Sequence, residues 1–387
     1  MKDWLGWFVR EKQWIQEQHL QVCRIPAPTF FEARRAEWML SQFRALGCEA
    51  RIDRAGNVIA FPKGHREGPY VALTAHLDTV LAPRQDEEIY YGSDGRLYGP
   101  GVSDNGAGLT ALLVIARVLE EWAEGVANVV LIANVGEEGE GNLSGMRYLC
   151  RQSPLAGKIQ AFLVLDGPAT DHITCQALAS RRFEITINGP GGHSWSDYGI
   201  GNPLHALCRA VALFSDRWPG YERSSFNFGM VEGGTSVNSI PASARAKLDI
   251  RSENSARIDE LSTYLTSCVE SALEAENARA TGGRVSAKVK EIGARPGGRL
   301  AGDAPLLNYL HAVDTHLGIR SHIDCASTDA NIPLSLGIPA VSIGAGGQGG
   351  GAHTAQEWFH PEGRELGLKR ILLTLALLGG TGAVSQE

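Results

Sequence analysis

YVALTAHLD, residues 70–78, carries an apolar run from Val71 to Ala75 and ends in His76 and Asp78. Three more stretches take the same form: VVLIANVGEE (129–138) ends in Glu137 and Glu138, FLVLD (162–166) ends in Asp166, and AVSIGAGGQGGGAH (340–353) leads to His353. Short unbroken apolar runs are the pattern of strands buried on both faces, as in a largely parallel sheet. A long helix is expected between the first two, from about Ala107 to Trp122, and a closing one near Leu366 to Leu378. Thr29 and Glu32 read as a capping box for an earlier helix that passes Trp38 and Phe43 and stops at Gly47. These signals together predict an α/β fold.

Parallel strands point the same way, so the residues at their C-terminal ends gather in one crevice, where ligands of such sheets sit. Asp104, in GPGVSDNGAG (99–108), opens the long helix and joins that group. A lone H-x-D is usually a structural pair, and an E-E pair usually a solvated turn. Their convergence is what matters, because crowded and unpaired carboxylates and imidazoles would cost several kcal/mol in repulsion and lost hydration. A bound cation removes that cost. Two histidines with several carboxylates suit zinc, with cobalt or manganese as substitutes, and more than four oxygen and nitrogen donors suggest two ions.

Between about Leu178 and Glu291 the rhythm changes to strand, helix, strand, strand, helix, strand: Arg182 to Asn188, Pro203 to Phe214, Phe226 to Glu232, Ala244 to Arg251, Ala256 to Ala275 and Arg284 to Lys290. That is the order of a ferredoxin-like α+β unit. The expected organisation is a first domain of residues 1–178 and 295–387 interrupted by a second of residues 179–294.

With 387 residues, the chain is longer than one core comfortably supports. Its 43% hydrophobic and 20% charged residues fit a globular protein, not a disordered one. A formal charge of -7 argues against a nucleic-acid surface, which needs concentrated Lys and Arg. Lys2, Asp3, Arg10, Glu11 and Lys12 interrupt the apolar residues of the N-terminus, so no signal-peptide core is expected there and the protein is expected in the cytoplasm. Trp4, Trp7, Phe8 and Ile15 fit one helical face packed on the protein. The seven cysteines are odd in number and never spaced as C-x-x-C, so they read as reduced thiols.

HLDT, GPGVSDNGAG, GEEGEGNLSG, VLDG, GPGGHS, SVNSIP and GGAHTAQEW, in that order, resemble the M20 family of zinc peptidases over nearly the whole chain. GEEGEGNLSG and STDAN (327–331) look most like its di- and tripeptide aminopeptidase branch, which includes peptidase T. The resemblance implies a zinc-exopeptidase-like catalytic domain with an inserted dimerisation lid, and a homodimer acting on a small peptide. It implies that His76 and Asp166 bind one metal, Glu138 and His353 the other, and that Asp104 bridges them. Asp78 would orient the His76 imidazole. Glu137 would be the general base, since adjacent side chains diverge and one of the two glutamates can face metal while the other faces water. His193 would reach a partner's active site to stabilise the oxyanion, Asn238 would hydrogen-bond substrate, and Arg295 would clamp a substrate carboxylate. Arg251 could take that last part, although a structural ion pair suits its strand position better. Asn105 stands where many relatives carry an acid or lysine, and Trp195 where small residues are common.

Gly344, Gly346 and Gly349 form a G-x-G-x-x-G after an apolar strand. As a dinucleotide fingerprint it fails, because GQGGGAHTAQEWFHPEG (347–363) is too glycine-rich to open a helix and then meets Pro361. Other readings within the family are an N-acyl-amino-acid amidohydrolase or a carboxypeptidase, and outside catalysis a metal-binding dimer.

Overall fold

The structure, a computed structural model, describes residues 4–121, 126, 128–216 and 223–380. Trp122, one proposed helix end, and the side chain of Trp4 lie outside the described residues. The chain divides into two compact units, Met1–Ala177 with Gly298–Glu387 and Leu178–Gly297.

The first unit is built on a nine-stranded mixed sheet. Its centre is parallel: Val129–Asn134, Tyr70–His76, Ile159–Leu165 and Ala340–Ile343 lie side by side in one direction. Every residue of Tyr70–His76 and Val129–Asn134 is buried, as unbroken apolar runs require. Antiparallel strands flank this block on one side, Val58–Phe61 and then Glu49–Ile52. On the other side His172–Ala177 pairs antiparallel with Ala340–Ile343 and Gly298–Arg299, and parallel with His322–Ala326. The helix Gly106–Glu121 is apolar on nearly all sides and sits inside the core, with Leu109, Leu112, Leu113, Val114 and Ile115 fully buried. Trp7, Phe8 and Ile15 are buried in two N-terminal helices, Trp4–Arg10 and Lys12–Arg24.

The expected capping box does not form. The helix Ala33–Ala45 has no side-chain cap. Thr29 Oγ1 instead donates to Asp78 at 3.0 Å, and Glu32 Oε1 accepts the N–H of Phe30 at 3.0 Å and of Gly136 at 3.2 Å. Both side chains are drawn to the strand ends, where buried polar groups need partners more than a partly solvated helix start does.

The second unit is an antiparallel four-stranded sheet ordered Ser224–Gly233, Ser243–Ser252, Ala179–Asn188, Ser286–Arg295. Helices Pro203–Asp216 and Ser255–Arg279 share one core with it. Ala244, Ala246, Leu248 and Ile250 bury every second residue of the central strand, which places one face on the helices. The observed fold is thus the expected α/β one with a ferredoxin-like insert. Arg295 differs in place: it ends the last strand of the insert, opposite Ser180, and belongs to that unit. Sheet pairing carries the insert past residue 294, where the expected boundary lay. Among the described residues, no helix is long and apolar enough to cross a membrane.

Candidate metal centre

His76 ends its strand almost completely buried, 2% exposed. Its Nδ1–H donates to the backbone carbonyl of Asp78 at 3.0 Å, and its Nε2 lies 3.0 Å from Asp104 Oδ1 and 3.8 Å from Asp166 Oδ1. Asp104 turns its other oxygen, Oδ2, to His353 Nε2 at 3.0 Å, and His353 Nε2 also meets Glu138 Oε1 at 2.9 Å. Five residues from five segments thus form two groups joined by one carboxylate. Donor atoms of His76, Asp104 and Asp166 lie within 4.8 Å of one another, as do those of Asp104, Glu138 and His353. A third group of the same tightness is His76, Glu137 and Glu138.

The electrostatics of the cluster ask for positive charge. Burial works to lower the pKa of His76, but its hydrogen bond to Asp104, with the Asp166 and Asp78 carboxylates close by, overrides it and holds the imidazole well above its ordinary value. Its hydrogen bond to Asp104 is the main reason His353 rises to about 9, with the charge of Glu138 adding to it. Burial opposes ionisation of Asp104, yet the two histidines keep its carboxyl well below the usual range. Protons on two imidazoles here balance carboxylates that a divalent cation would balance better, and imidazole with carboxylate is a donor set zinc accepts. The residues therefore fit a metal.

Asp78 acts through both of its ends. Its carboxylate is fully buried and accepts the backbone N–H of Glu137 at 3.0 Å through Oδ1 and of Glu138 at 2.9 Å through Oδ2. The carbonyl, more than the carboxylate at 3.6 Å, fixes the His76 ring. Gly136, at φ +67°, makes the tight turn that delivers both glutamates, and a Cβ there would meet Ser144 Oγ at 2.1 Å. Glu140 is exposed. Asn105 is buried and structural: it donates to the carbonyl of Leu165 at 2.8 Å and accepts from the N–H of Gly108 and Gly167.

The remaining candidates stand on the inserted unit. His193 is exposed, and its Nδ1 accepts the N–H of Trp195 at 3.2 Å. Asn238 directly precedes Ser239–Ile240, which pairs with Gly192–His193, its carbonyl accepting from Ser194 N at 2.9 Å and its side chain from Ser236 at 2.6 Å. Trp195 is 85% exposed. Arg295 is buried, whereas Arg251 pairs with Asp249 at 2.7 Å, the structural ion pair expected of it. The glycines after Ile343 open no helix: Gln348–Gly350 forms a strand with Trp358–His360, so the dinucleotide reading fails on structure as well.

Two buried acids at the centre do not stand out in the sequence. Asp329, in STDAN, is pushed up to about 7 by burial and accepts from Asn134 at 2.6 Å. Glu357, in GGAHTAQEW, accepts three backbone N–H groups of the loop that carries Asp104. Both sit inside motifs that carry the family resemblance, and an acid amid small residues was the available signal.

A sequence model of peptidase family M20/M25/M40 matches residues 72–376. Among curated relatives, the uncharacterised protein YqjE of Bacillus subtilis (strain 168) is 24% identical over 387 residues, covering 96% of this chain and 97% of its own. A succinyl-diaminopimelate desuccinylase of Coxiella burnetii is 26% identical over 253 residues, 60% of this chain and 66% of that enzyme. Among solved structures, a tripeptidase of Staphylococcus aureus subsp. aureus Mu50 has the same fold at a TM-score of 0.79 and 21% identity, over 95% of this chain and 98% of that one. Because the family match begins within the His76 strand and runs into the final helix, this chain belongs to peptidase family M20/M25/M40 and is a hydrolase of the peptidase and amidohydrolase kind.

Proposed function

We propose that this protein hydrolyses an amide bond of a short peptide at a centre for two divalent ions. His76 and Asp166 hold one ion, Glu138 and His353 the other, and Asp104 is shared. The observation that carries this reading is the divided carboxylate of Asp104, with one oxygen 3.0 Å from each histidine. Zinc suits the donors, with cobalt or manganese as substitutes. When bound, such ions polarise a carbonyl oxygen and acidify a water.

The chain's own residues do the rest. The His76 proton on Nδ1 is engaged by the Asp78 carbonyl, so a neutral ring presents the Nε2 lone pair inward. Asp78 pins the amides of Glu137 and Glu138; Glu138 turns to His353, and Glu137 takes the proton of the attacking water on a carboxylate oxygen and returns it to the leaving nitrogen. His193 accepts at Nδ1, which leaves its proton on Nε2 as a donor for a developing oxyanion. Asn238 hydrogen-bonds substrate, and Arg295 offers a planar fork to a carboxylate. A homodimer through the inserted unit, inside the cytoplasm, belongs to the same reading. The sheet bounded by Ser224–Gly233 and Ser286–Arg295 offers edges for it.

The likeness to the Staphylococcus tripeptidase supports a short peptide as the substrate, and the reading takes that peptide with its amine free. A panel of Ala-Ala, Ala-Ala-Ala, N-acetyl-methionine and an N-blocked carboxypeptidase substrate tests it. Metal-dependent cleavage of the free-amine peptides alone is the expected result. Cleavage of the N-acylated compounds alone would move the assignment to an amidohydrolase or carboxypeptidase, a direction the desuccinylase relative makes worth testing.

A further inference from the structure

Glu357 lies four residues after His353, at the end of the same glycine-rich loop, and is 2% exposed. Its Oε1 accepts the N–H of Ser103 at 2.7 Å and of Asp104 at 2.8 Å, and its Oε2 accepts that of Gly101 at 2.8 Å. Its backbone carbonyl accepts a fourth, from Gly99 at 3.0 Å. The next residues, Trp358 and Phe359, pair with Tyr98 and Leu97. One side chain therefore organises the whole loop that delivers Asp104, and it does so from the segment that delivers His353.

We infer that Glu357 is a positioning residue for the metal centre, locking the Asp104 loop to the His353 loop so that the shared carboxylate faces both histidines. The inference rests on the two-ion reading above. A carboxylate is the group the geometry demands, because only it accepts at both oxygens. In Glu357→Gln the amide has the same size but one acceptor. Whichever way it turns, its NH2 faces at least one backbone N–H, and in one orientation it faces both Ser103 and Asp104. Groups that orient metal ligands from behind typically govern affinity by about 10- to 100-fold.

The test is zinc affinity, measured by competition with a chromophoric chelator well below the unfolding temperature, for the wild type, Glu357→Gln, Glu357→Asp and, as a reference, Asp104→Asn. The expected result is a folded Glu357→Gln whose zinc affinity falls by about 10- to 100-fold, with excess zinc restoring part of its hydrolysis. Glu357→Asp keeps both acceptors on a shorter arm and is expected to fall between, and it supplies the readout if the amide variant does not fold. A merely structural glutamate would lower the melting temperature and leave zinc affinity unmoved, and that result overturns the inference. If the wild type itself binds none of zinc, cobalt or manganese, the two-ion reading fails and this inference with it. If the wild type binds and both Glu357 variants match it, only the inference fails.

Discussion

The carboxylate of Asp78 accepts the backbone N–H of Glu137 at 3.0 Å, so the acid just past the His76 strand fixes the turn just past the neighbouring one. The two strands are parallel partners, with His76 opposite Asn134, and Asp78 closes the gap just beyond their ends. Its other oxygen holds Glu138 N and Thr29 Oγ1. Asn in its place could not accept on both sides. Asp78→Asn is expected to cost about 1–3 kcal/mol of stability from the orphaned buried donor and to weaken metal binding, measured by urea unfolding and zinc titration.

Glu137→Gln separates proton transfer from metal holding. The expected outcome is a fall in kcat of about 100- to 10,000-fold, with zinc affinity and stoichiometry unchanged by calorimetry. Loss of zinc along with activity would make Glu137 a ligand, as its place beside His76 and Glu138 also allows.

Metal affinity carries a pH signature. In the metal-free protein His353 holds its proton up to about 9 because of Asp104, and His76 is held well above its ordinary value despite burial. Binding must expel those protons, so apparent zinc affinity is expected to rise with pH and to flatten for the His353 part near 9. The stability of the metal-free fold moves the other way. A raised histidine contributes fully below its unfolded value and loses that contribution as pH climbs through the folded one. Zinc titrations and urea melts from about pH 6 to about pH 9.5 bracket the ordinary and raised histidine values and check both signs.

A third histidine has the opposite sign. His19 is fully buried, donates from Nε2 to the Val102 carbonyl at 2.7 Å, and accepts from Arg364 at Nδ1, which keeps the ring neutral. Burial, reinforced by the Arg364 charge, holds its pKa well below the ordinary value. Only the unfolded chain then gains a proton below about pH 6.5, so stability drops as pH falls from there. His19→Gln can offer one acceptor and one donor at every pH. It is expected to flatten the slope of unfolding free energy between about pH 7 and about pH 5.5, read as a difference from wild type.

Much of this was legible in the residues because the informative patterns are local. Tyr70–His76 and Val129–Asn134 announce themselves as apolar runs, and the acids and histidines come directly at their ends. The insert is equally plain from its alternation. What stayed hidden was partnership across the chain. Thr29 and Glu32 satisfy a capping pattern over four residues, but Asp78 and Gly136, 49 and 104 positions away, take them instead. Glu357 is linked to Asp104 over 253 positions, and no local pattern marks an acid whose partners are backbone amides. The place of Arg295 turned on where a strand stops pairing, opposite Ser180 more than a hundred positions away.

The most direct test of the two-ion account is titration of metal-stripped protein with zinc while hydrolysis of Ala-Ala-Ala is tracked. The account predicts no activity in the stripped protein and recovery that completes near two equivalents, with Asp104→Asn failing to recover at the same zinc. Full hydrolysis by stripped protein in the presence of chelator, or a wild type that takes up no zinc, cobalt or manganese, would contradict it.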